Sequence, residues 1–561
     1  MATSETTHVP TAPSTVVKGW VFWPSAVLVT VFVAYALIAP ESAEALFAGL
    51  QGLIVRNFSW YYVLIAALFV FFALWMGFSR FGDIKLGKDS DEPEFSVMSW
   101  LALLFAAGMG IGLVFYGVAE PLSHFANPRP GVSGDQSQLA QAALSQTFLH
   151  WGFHAWAIYV VIGLALAYAI HRRGRPVSIR WALEPLLGRR VRGGWGNVID
   201  IIALVGTLFG VATSLGLGVL QISAGLESAG IAESSIFAQI VIIVVITIIT
   251  IFSLVTGVKR GMKWLSNTNL VVAALLLLFV LFAGPTQFLL RDFVQSIGAY
   301  LQNFLGLAFT VSAFTGAEGE EWQANWTTFY WGWWMSWAPF VGIFIARISR
   351  GRTVRQFIAG VLIVPTALTF LWFSVLGGAA IYREIAGRGG LVGADGSVDL
   401  EGSLFILLEG LPAGTVLTFG AILLIAVFFV TSSDSGSLVM GMIATGGQPE
   451  PKSLIRVFFA VVTALVAIGL LLSGGLDALK TAAITTALPF SVVMLLICWA
   501  TVVAFSREHR AYERAQRDSF VDRIGMYYGL EVDEPSEREP RRPFFLGRRQ
   551  TQRDHHEPDV F

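Results

Sequence analysis

Twelve stretches of roughly twenty mostly apolar residues punctuate this chain, and each is long enough to cross a hydrocarbon bilayer. They fall at 20–39, 59–79, 97–118, 143–170, 199–226, 234–257, 263–284, 327–347, 356–381, 415–443, 455–473 and 483–505. Lipid offers no water to backbone polar groups, so runs of this kind are confined to helices that satisfy their own hydrogen bonds. Only 13% of the residues are charged, against about 25% in a soluble protein, and the mean hydropathy is +0.67. The expected fold class is therefore all-α, a polytopic membrane protein of 12 transmembrane helices. The first run is too long for a signal-peptide core and has no convincing cleavage site behind it, so it reads as the first span. A net charge of −1 supplies no basic field for nucleic acid. The single cysteine, Cys498, sits in the apolar LLICWA and reads as a small filler.

Lys and Arg orient the spans. With twelve spans both termini share a side. The loops on that side hold 19 Lys/Arg, in 80–88, 172–192, 259–263, 347–355 and 452–456. The opposite loops hold six: Arg56, Arg129, Arg291, Arg383, Arg388 and Lys480. The asymmetry predicts both ends in the cytoplasm of a bacterial inner membrane. Residues 1–18 form a cytoplasmic N-terminal segment, and 286–304 (TQFLLRDFVQSIGAYLQNF) an amphipathic interfacial helix. The cytoplasmic tail, 506–561, carries 11 Arg and 12 Asp/Glu; its start could form a helix, and its Pro-rich, charged end reads as disordered.

Several spans carry features that a passive anchor does not need. The third reads AAGMGIGLVFYG, with glycine at 108, 110 and 112. Each glycine weakens a helix by about 1 kcal/mol relative to alanine. The segment either unwinds beside a cavity or packs closely against a neighbouring helix. The eighth reads NWTTFYWGWWMSWAPF, with Trp326, Trp331, Trp333, Trp334 and Trp337 ahead of Pro339. An interfacial aromatic belt accounts for some of these rings, but not for a run over three turns that ends at a proline expected to disturb the helix. In the fourth span Trp151, Trp156 and Tyr159 fall within an arc of about 140° on an ideal helix, so they can face one cavity. Converging ring faces bind a quaternary ammonium by cation–π attraction, worth about 2 kcal/mol or more when desolvated. His150 and His154 are either proton carriers or hydrogen-bonded structural residues. The tenth span reads FFVTSSDSGS, whose hydroxyls and carbonyls suit a hard monovalent cation, or else bridge helices; its Asp434 is a functional candidate as an acid within a span. No Walker motif, nucleophile elbow, HExxH helix or metal-ligand spacing is present, so no catalytic residue is assigned and an enzyme is not expected.

These segments, GMGIGLVFYGVAEP, NWTTFYWGWWMSWAPFVGIFIARISRG, the Trp-x4-Trp-x2-Tyr spacing and TSSDSGS, resemble the betaine/choline/carnitine transporter family, and most closely its sodium-coupled glycine betaine members. The resemblance covers about 15–505. It implies a leucine-transporter-type fold with a 5+5 inverted repeat: two extra N-terminal helices in 19–96, a first repeat in 97–285 and a second in 305–505. Substrate would sit at midplane and move by alternating access. Carried over by position, the substrate cage is Trp151, Trp156, Tyr159 and Trp334, with Trp333 and Trp337 at access sites. The substrate carboxylate lies by the backbone of Ala107, Gly108 and Gly110. Phe115, Phe329 and Phe344 are gate aromatics. One sodium site uses Ala106, Met109, Phe428, Thr431 and Ser432. A second involves Thr207 and Phe340, but Val211 stands one turn after Thr207 where sodium-coupled members have threonine, which argues against that ion. Gly112 stands where proton-coupled choline carriers tend to have Asp, and Leu270 where sodium-independent exchangers carry Arg. The resemblance thus implies sodium-driven import of a quaternary-ammonium osmoprotectant, glycine betaine foremost, by a homotrimer with sodium as coupling ion and no other cofactor. Choline, carnitine, ectoine or dimethylsulfoniopropionate remain alternative cargoes, with proton coupling or exchange as alternative modes. A channel and a signal-transducing osmosensor are the readings from other classes.

Overall fold

The computed structural model describes residues 17–108, 110–256 and 259–528, without the side chains of 105–108, 259–264 and 525. Among the described residues there is no β-strand, only the isolated bridges Lys85–Thr353 and Val392–Val398. The chain up to Ser506 forms one compact unit. Its principal helices are α1 (Gly19–Ile38), α2 (Pro40–Phe78), α3 (Val97–Gly108), α4 (Ile111–Ala126), α5 (Gln136–Trp151), α6 (Phe153–Ala167), α7 (Gly194–Ser228) and α8 (Ile236–Thr256). There follow α9 (Lys259–Ala283), α10 (Thr286–Ala308), α11 (Phe329–Ile348), α12 (Val354–Ala386), α13 (Gly414–Ala444), α14 (Ser453–Leu472) and α15 (Gly475–Tyr528). From Arg507 the chain belongs to a second unit, whose described part is helical through Tyr528 and carries a 3.0 Å contact between His509 and Glu513.

Among the described residues ten helices are long and apolar enough to cross a membrane. The two expected runs outside that set are 97–118 and 327–347, both among the four spans singled out above. The first is divided into α3 and α4, of 12 and 16 residues, because Gly110 is extended at φ −154°, ψ −175° where a helix would continue. The second folds as the 20-residue α11, whose indoles and phenols lower its hydropathy. Contrary to the sequence expectation, α11 runs unbroken through Pro339. It is buried on nearly all sides, packed against α6 and α7, and surrounding helices hold a proline-containing turn together. The irregularity lies about three turns before the proline, in a π-helical stretch over Ala324–Thr328.

The fourth run also departs from an ideal helix. Gly152, at φ −93° and ψ −133°, separates α5 from α6. A β-carbon there would meet the Phe148 carbonyl at 2.5 Å and the Phe370 ring at 2.8 Å, so the bend needs glycine. The rotation between α5 and α6 alters which rings face inward.

Hydrogen bonds sort the connections into two groups at opposite ends of the bundle. At one end, the Leu86 amide donates to the Arg352 carbonyl and the Gly351 amide to the Leu86 carbonyl. There too Arg172 donates to the Gly87 carbonyl at 2.8 Å and pairs with Asp89, while Arg350 pairs with Asp91. At the other end Asn127 donates to the Gly396 carbonyl at 2.7 Å, and Ser228 bonds Glu409. The first group is the Lys/Arg-rich one. Between them α10 packs one face on α5 and α12 and exposes Leu290, Val294, Leu301 and Leu305. Burial on its inner face lifts the Asp292 carboxyl to about 6, with only the Ser296 hydroxyl at 3.0 Å opposing the shift.

Candidate functional site

The backbone break at Gly110 leaves room for rings. Gly110, Gly112, Trp151, Tyr159, Ser214, Trp333, Trp334 and Trp337 surround one hollow of about 20 Å³, room for about one water molecule. Trp333 and Trp334 stack with centroids 4.7 Å apart at 14°. Trp151 meets Trp334 edge-on at 4.9 Å and 72°, and Tyr159 meets it at 6.2 Å and 76°. Rings set at right angles form walls rather than a layer. Gly112 is what lets them close: a β-carbon there would overlap the tip of Trp333 and stand 3.1 Å from that of Trp151.

Each wall is held by its edge. Trp333 Nε1 donates to Ser214 Oγ at 3.1 Å, Trp334 Nε1 to the His150 carbonyl at 2.8 Å, and Trp337 Nε1 to the Gly210 carbonyl at 2.7 Å. Trp151 Nε1 donates to Glu120 Oε2 at 2.6 Å. Satisfied N–H groups leave the electron-rich faces, not the donors, for a ligand, and such faces attract a cation that has no N–H of its own.

Glu120 is the hub of this anchoring. It lies in α4, fully buried, and accepts from Trp151 and from the Tyr330 hydroxyl on Oε2. His150 Nδ1 lies 2.6 Å from Oε1, and His124 Nε2 lies 3.4 Å from the same oxygen. The other nitrogen of His150 is flanked by Gln146 at 3.1 Å and Thr327 Oγ1 at 3.0 Å. One carboxylate thus ties α4 to α5 and α11 and fixes a ring of the hollow. Buried charge is tolerated when it is paired and hydrogen-bonded in this way.

On the side of the Lys/Arg-rich loops a second cavity, of about 340 Å³, is lined by Leu270, Phe340, Phe344, Phe428, Thr431 and Ser432 among others. Trp337 lines both spaces and forms the partition between them. Away from that cavity, Phe329 lies flat on Trp333 at 5.4 Å and 17°, with Tyr116 and Tyr330 packed around it. The rings therefore seal the hollow on that side more thickly than on the cavity side.

Of the expected cage, Trp151, Tyr159 and Trp334 line the hollow, together with Trp333 and Trp337, expected at access sites, and Gly110, expected beside the carboxylate. Trp156 is not among the lining residues; it packs edge-on against Tyr159 at 5.6 Å. The bend at Gly152 is the reason, because the ideal-helix arc for these three residues assumed an unbroken helix. Phe115 and Phe329 are fully buried, whereas Phe344 borders the larger cavity. Phe428, Thr431 and Ser432 face that same cavity, where the Thr431 hydroxyl donates to the Val427 and Phe428 carbonyls at 2.9 and 3.1 Å. Ala106, Ala107 and Gly108 belong to the last turn of α3, and Met109 lies outside the described residues. Thr207 is buried in α7 with its hydroxyl on the Ala203 carbonyl at 2.7 Å and does not line the cavity bordered by Phe340. Val211 packs instead against Gly436 on α13.

Asp434 forms a 3.0 Å ion pair with Arg456 between α13 and α14, which is a structural role. His150 is hydrogen-bonded, while His154 is buried and stacks on Trp331 at 5.1 Å. Sequence reasoning missed Glu120 and Tyr330. The rule that drew attention to Asp434, that acids within spans are functional by default, applies equally to the Glu in GVAEP.

A helical membrane bundle with a ring-walled hollow beside a larger cavity has the build of a small-solute transporter. The chain belongs to the BCCT family of betaine/carnitine/choline transporters, whose model matches residues 20–510. It is 50% identical over 491 residues to an uncharacterized transporter of Mycobacterium tuberculosis, covering 86% of this chain and 82% of that one. It is 44% identical over 497 residues to the glycine betaine transporter OpuD of Bacillus subtilis, covering 89% and 96%. To the high-affinity choline transport protein of Escherichia coli it is 38% identical over 509 residues, covering 90% and 75%. It is a membrane transporter, not an enzyme.

Proposed function

We propose that the protein imports a quaternary-ammonium compatible solute, glycine betaine foremost, by sodium symport with alternating access. The observation that carries this reading is the hollow walled by Trp151, Tyr159, Trp333 and Trp334, whose N–H edges other than the phenol are all tethered away from it. A trimethylammonium group donates no N–H hydrogen bond and is best met by ring faces. The break at Gly110 supports binding of the substrate carboxylate there, since it interrupts the helical hydrogen-bond ladder beside the rings. Its relatives include glycine betaine transporters at 40–44% identity.

Sodium coupling rests on chemistry. Thr431 and Ser432 offer hydroxyls, and Phe428 a carbonyl, beside a cavity also lined by Leu270, where a cationic side chain would take the place of an ion. A zwitterion moving with sodium carries net positive charge inward, worth about 2.3 kcal/mol per 100 mV for each charge. In this reading twelve helices span a bacterial inner membrane as two inverted repeats behind two leading helices, the termini are cytoplasmic, and α10 is a contact surface in a homotrimer. The hollow is too small for betaine, so loading requires the α4 and α11 walls to part. Choline is the second reading, favoured by the Escherichia coli relative; Gly112 favours betaine, because an acidic side chain there has no room beside Trp333.

The test is uptake into proteoliposomes of betaine, choline, carnitine and ectoine, with and without an imposed sodium gradient. Sodium-dependent betaine uptake, inhibited by choline but not by ectoine, is the expected result. Uptake that follows a proton gradient alone, or equal uptake of ectoine, overturns the proposal.

A further inference from the structure

The cluster behind the cage has more donors than the cage uses. Glu120, His124 and His150 each present a ligand atom, and these atoms lie within 4.8 Å of one another. All three residues are buried. His124 makes no hydrogen bond at either ring nitrogen, and Glu120 Oε1 stands 3.4 Å from its Nε2. A buried imidazole left in this state costs free energy unless something binds it.

The site can be reached. A cavity of about 490 Å³ at the end away from the Lys/Arg-rich loops is lined by His124, Gln146, Arg129, Gln138, Gln302 and Thr310 among others. His124 is thus at once a wall of that cavity and a member of the cluster.

We infer that Glu120 Oε1, His124 Nε2 and His150 Nδ1 form a binding site for a divalent transition cation of the zinc type, with water from the cavity as fourth ligand. Two imidazoles and one carboxylate are a ligand set of an open zinc site, with bonds of about 2.0–2.2 Å. Tetrahedral bonds of that length hold ligand atoms about 3.4 Å apart, the spacing His124 Nε2 and Glu120 Oε1 already have. The His150–Glu120 contact, at 2.6 Å, opens by under 1 Å to admit the ion. The proton between them moves to His150 Nε2, where Thr327 Oγ1 at 3.0 Å accepts it and the Gln146 amide, now 3.1 Å away by its nitrogen, turns to present its oxygen, so the ring stays neutral and no proton is lost. Oε2 keeps its bonds to Trp151 and Tyr330, but the carboxylate turns as Oε1 takes the metal. Metal binding therefore shifts the anchor of a cage wall, and zinc acts as an inhibitor from the cavity side. The Arg129 guanidinium on the cavity wall opposes the ion, and Arg129→Gln should tighten binding.

Titration of the purified full-length protein with Co²⁺, followed by visible absorption, tests the site without any transported solute. The expected result is an intense tetrahedral d–d spectrum that Zn²⁺ abolishes at one ion per chain. His124→Gln and His124→Asn should each weaken metal binding by roughly 100-fold, the upper end of what even outer-shell changes cost. Zinc should inhibit solute uptake by the unaltered protein, and in His124→Gln the same zinc should reduce uptake far less relative to that variant's own zinc-free rate. An octahedral or absent cobalt spectrum, or metal binding unchanged in both His124 variants, overturns the inference. Since the cobalt readout needs no cargo, failure of the betaine assignment leaves this test intact.

Discussion

Replacing Glu120 separates a residue that only fills space from one that sets the cage. Glu120→Ala strands three buried donors: the Trp151 N–H, the Tyr330 O–H and His150 Nδ1. Each stranded donor costs about 1–3 kcal/mol, so the expected loss is on the order of 5 kcal/mol and the folded yield should fall steeply. Glu120→Gln is the informative change. Its oxygen can still accept from Trp151 and Tyr330, and its amide faces a ring nitrogen of His150 that accepts in the other tautomer. What disappears is charge assistance, about 1 kcal/mol for each of the two bonds to Oε2. The Gln protein should fold, melt within a few degrees of the parent, and bind betaine roughly tenfold more weakly, the equivalent of about 1.4 kcal/mol. Tryptophan fluorescence titration gives the affinity, and thermal unfolding in detergent gives the stability. If Glu120→Gln and Glu120→Ala both bind with parental affinity, the carboxylate does not position the cage and the reasoning is refuted.

Trp334→Ala should weaken onium binding by roughly 30-fold, the equivalent of the desolvated cation–π term of about 2 kcal/mol, whereas Trp334→Phe keeps a ring face and loses less; equal losses in a binding titration would argue against ring-face recognition. Gly112→Ala should push Trp333 aside at an overpacking cost of about 1–3 kcal/mol, seen as a loss of substrate affinity, and parental affinity would show that the rings do not need that contact. Thr431→Ala with Ser432→Ala should raise the sodium concentration for half-maximal uptake by about tenfold or more while uptake at saturating sodium survives; an unaltered sodium dependence would remove both hydroxyls from ion binding. For Asp292, whose folded carboxyl titrates at about 6 against an ordinary 3.8, the protonated form is the one the fold prefers, so stability falls as pH rises between those values. Asp292→Asn should therefore raise the melting temperature above pH 6, recovering about 1–3 kcal/mol, and make little difference below pH 4; equal melting shifts at both pH values would contradict the assignment.

Composition and run length are enough to read an all-helical membrane chain, because lipid leaves the backbone few choices. Of the four runs with anomalous sequence, the glycine-rich third and the tryptophan-rich eighth fall outside the set of ordinary spanning helices, while the fourth and tenth fall inside it. What periodicity misjudged was local. Trp156 fails to line the hollow because one residue, Gly152, bends the helix between it and Trp151. Pro339 leaves α11 intact because the helices packed around it, α6 and α7 foremost, hold the turn together, and a single-chain pattern carries no information about neighbours. Glu120 and Tyr330 are 210 positions apart, and their hydrogen bond has no spacing signature. Only the rule that an acid in an apolar run must have partners points towards it.

The same division explains how the site can be both rigid and movable. The edges of the rings are held by groups on three helices, α4, α5 and α7, while the faces meet other rings, Phe329 on Trp333 among them, and the backbone at Gly112. A hollow of about 20 Å³ beside a cavity of about 340 Å³, divided by Trp337, is a narrow partition to cross on one side and a stack of several rings on the other. On the alternating-access proposal, motion of α11 against α7 would break the Trp333–Ser214 and Trp337–Gly210 bonds and leave Trp334 tied to His150. Trp333, Trp334 and Trp337 share α11, so the partition and the cage wall would leave α7 as one piece.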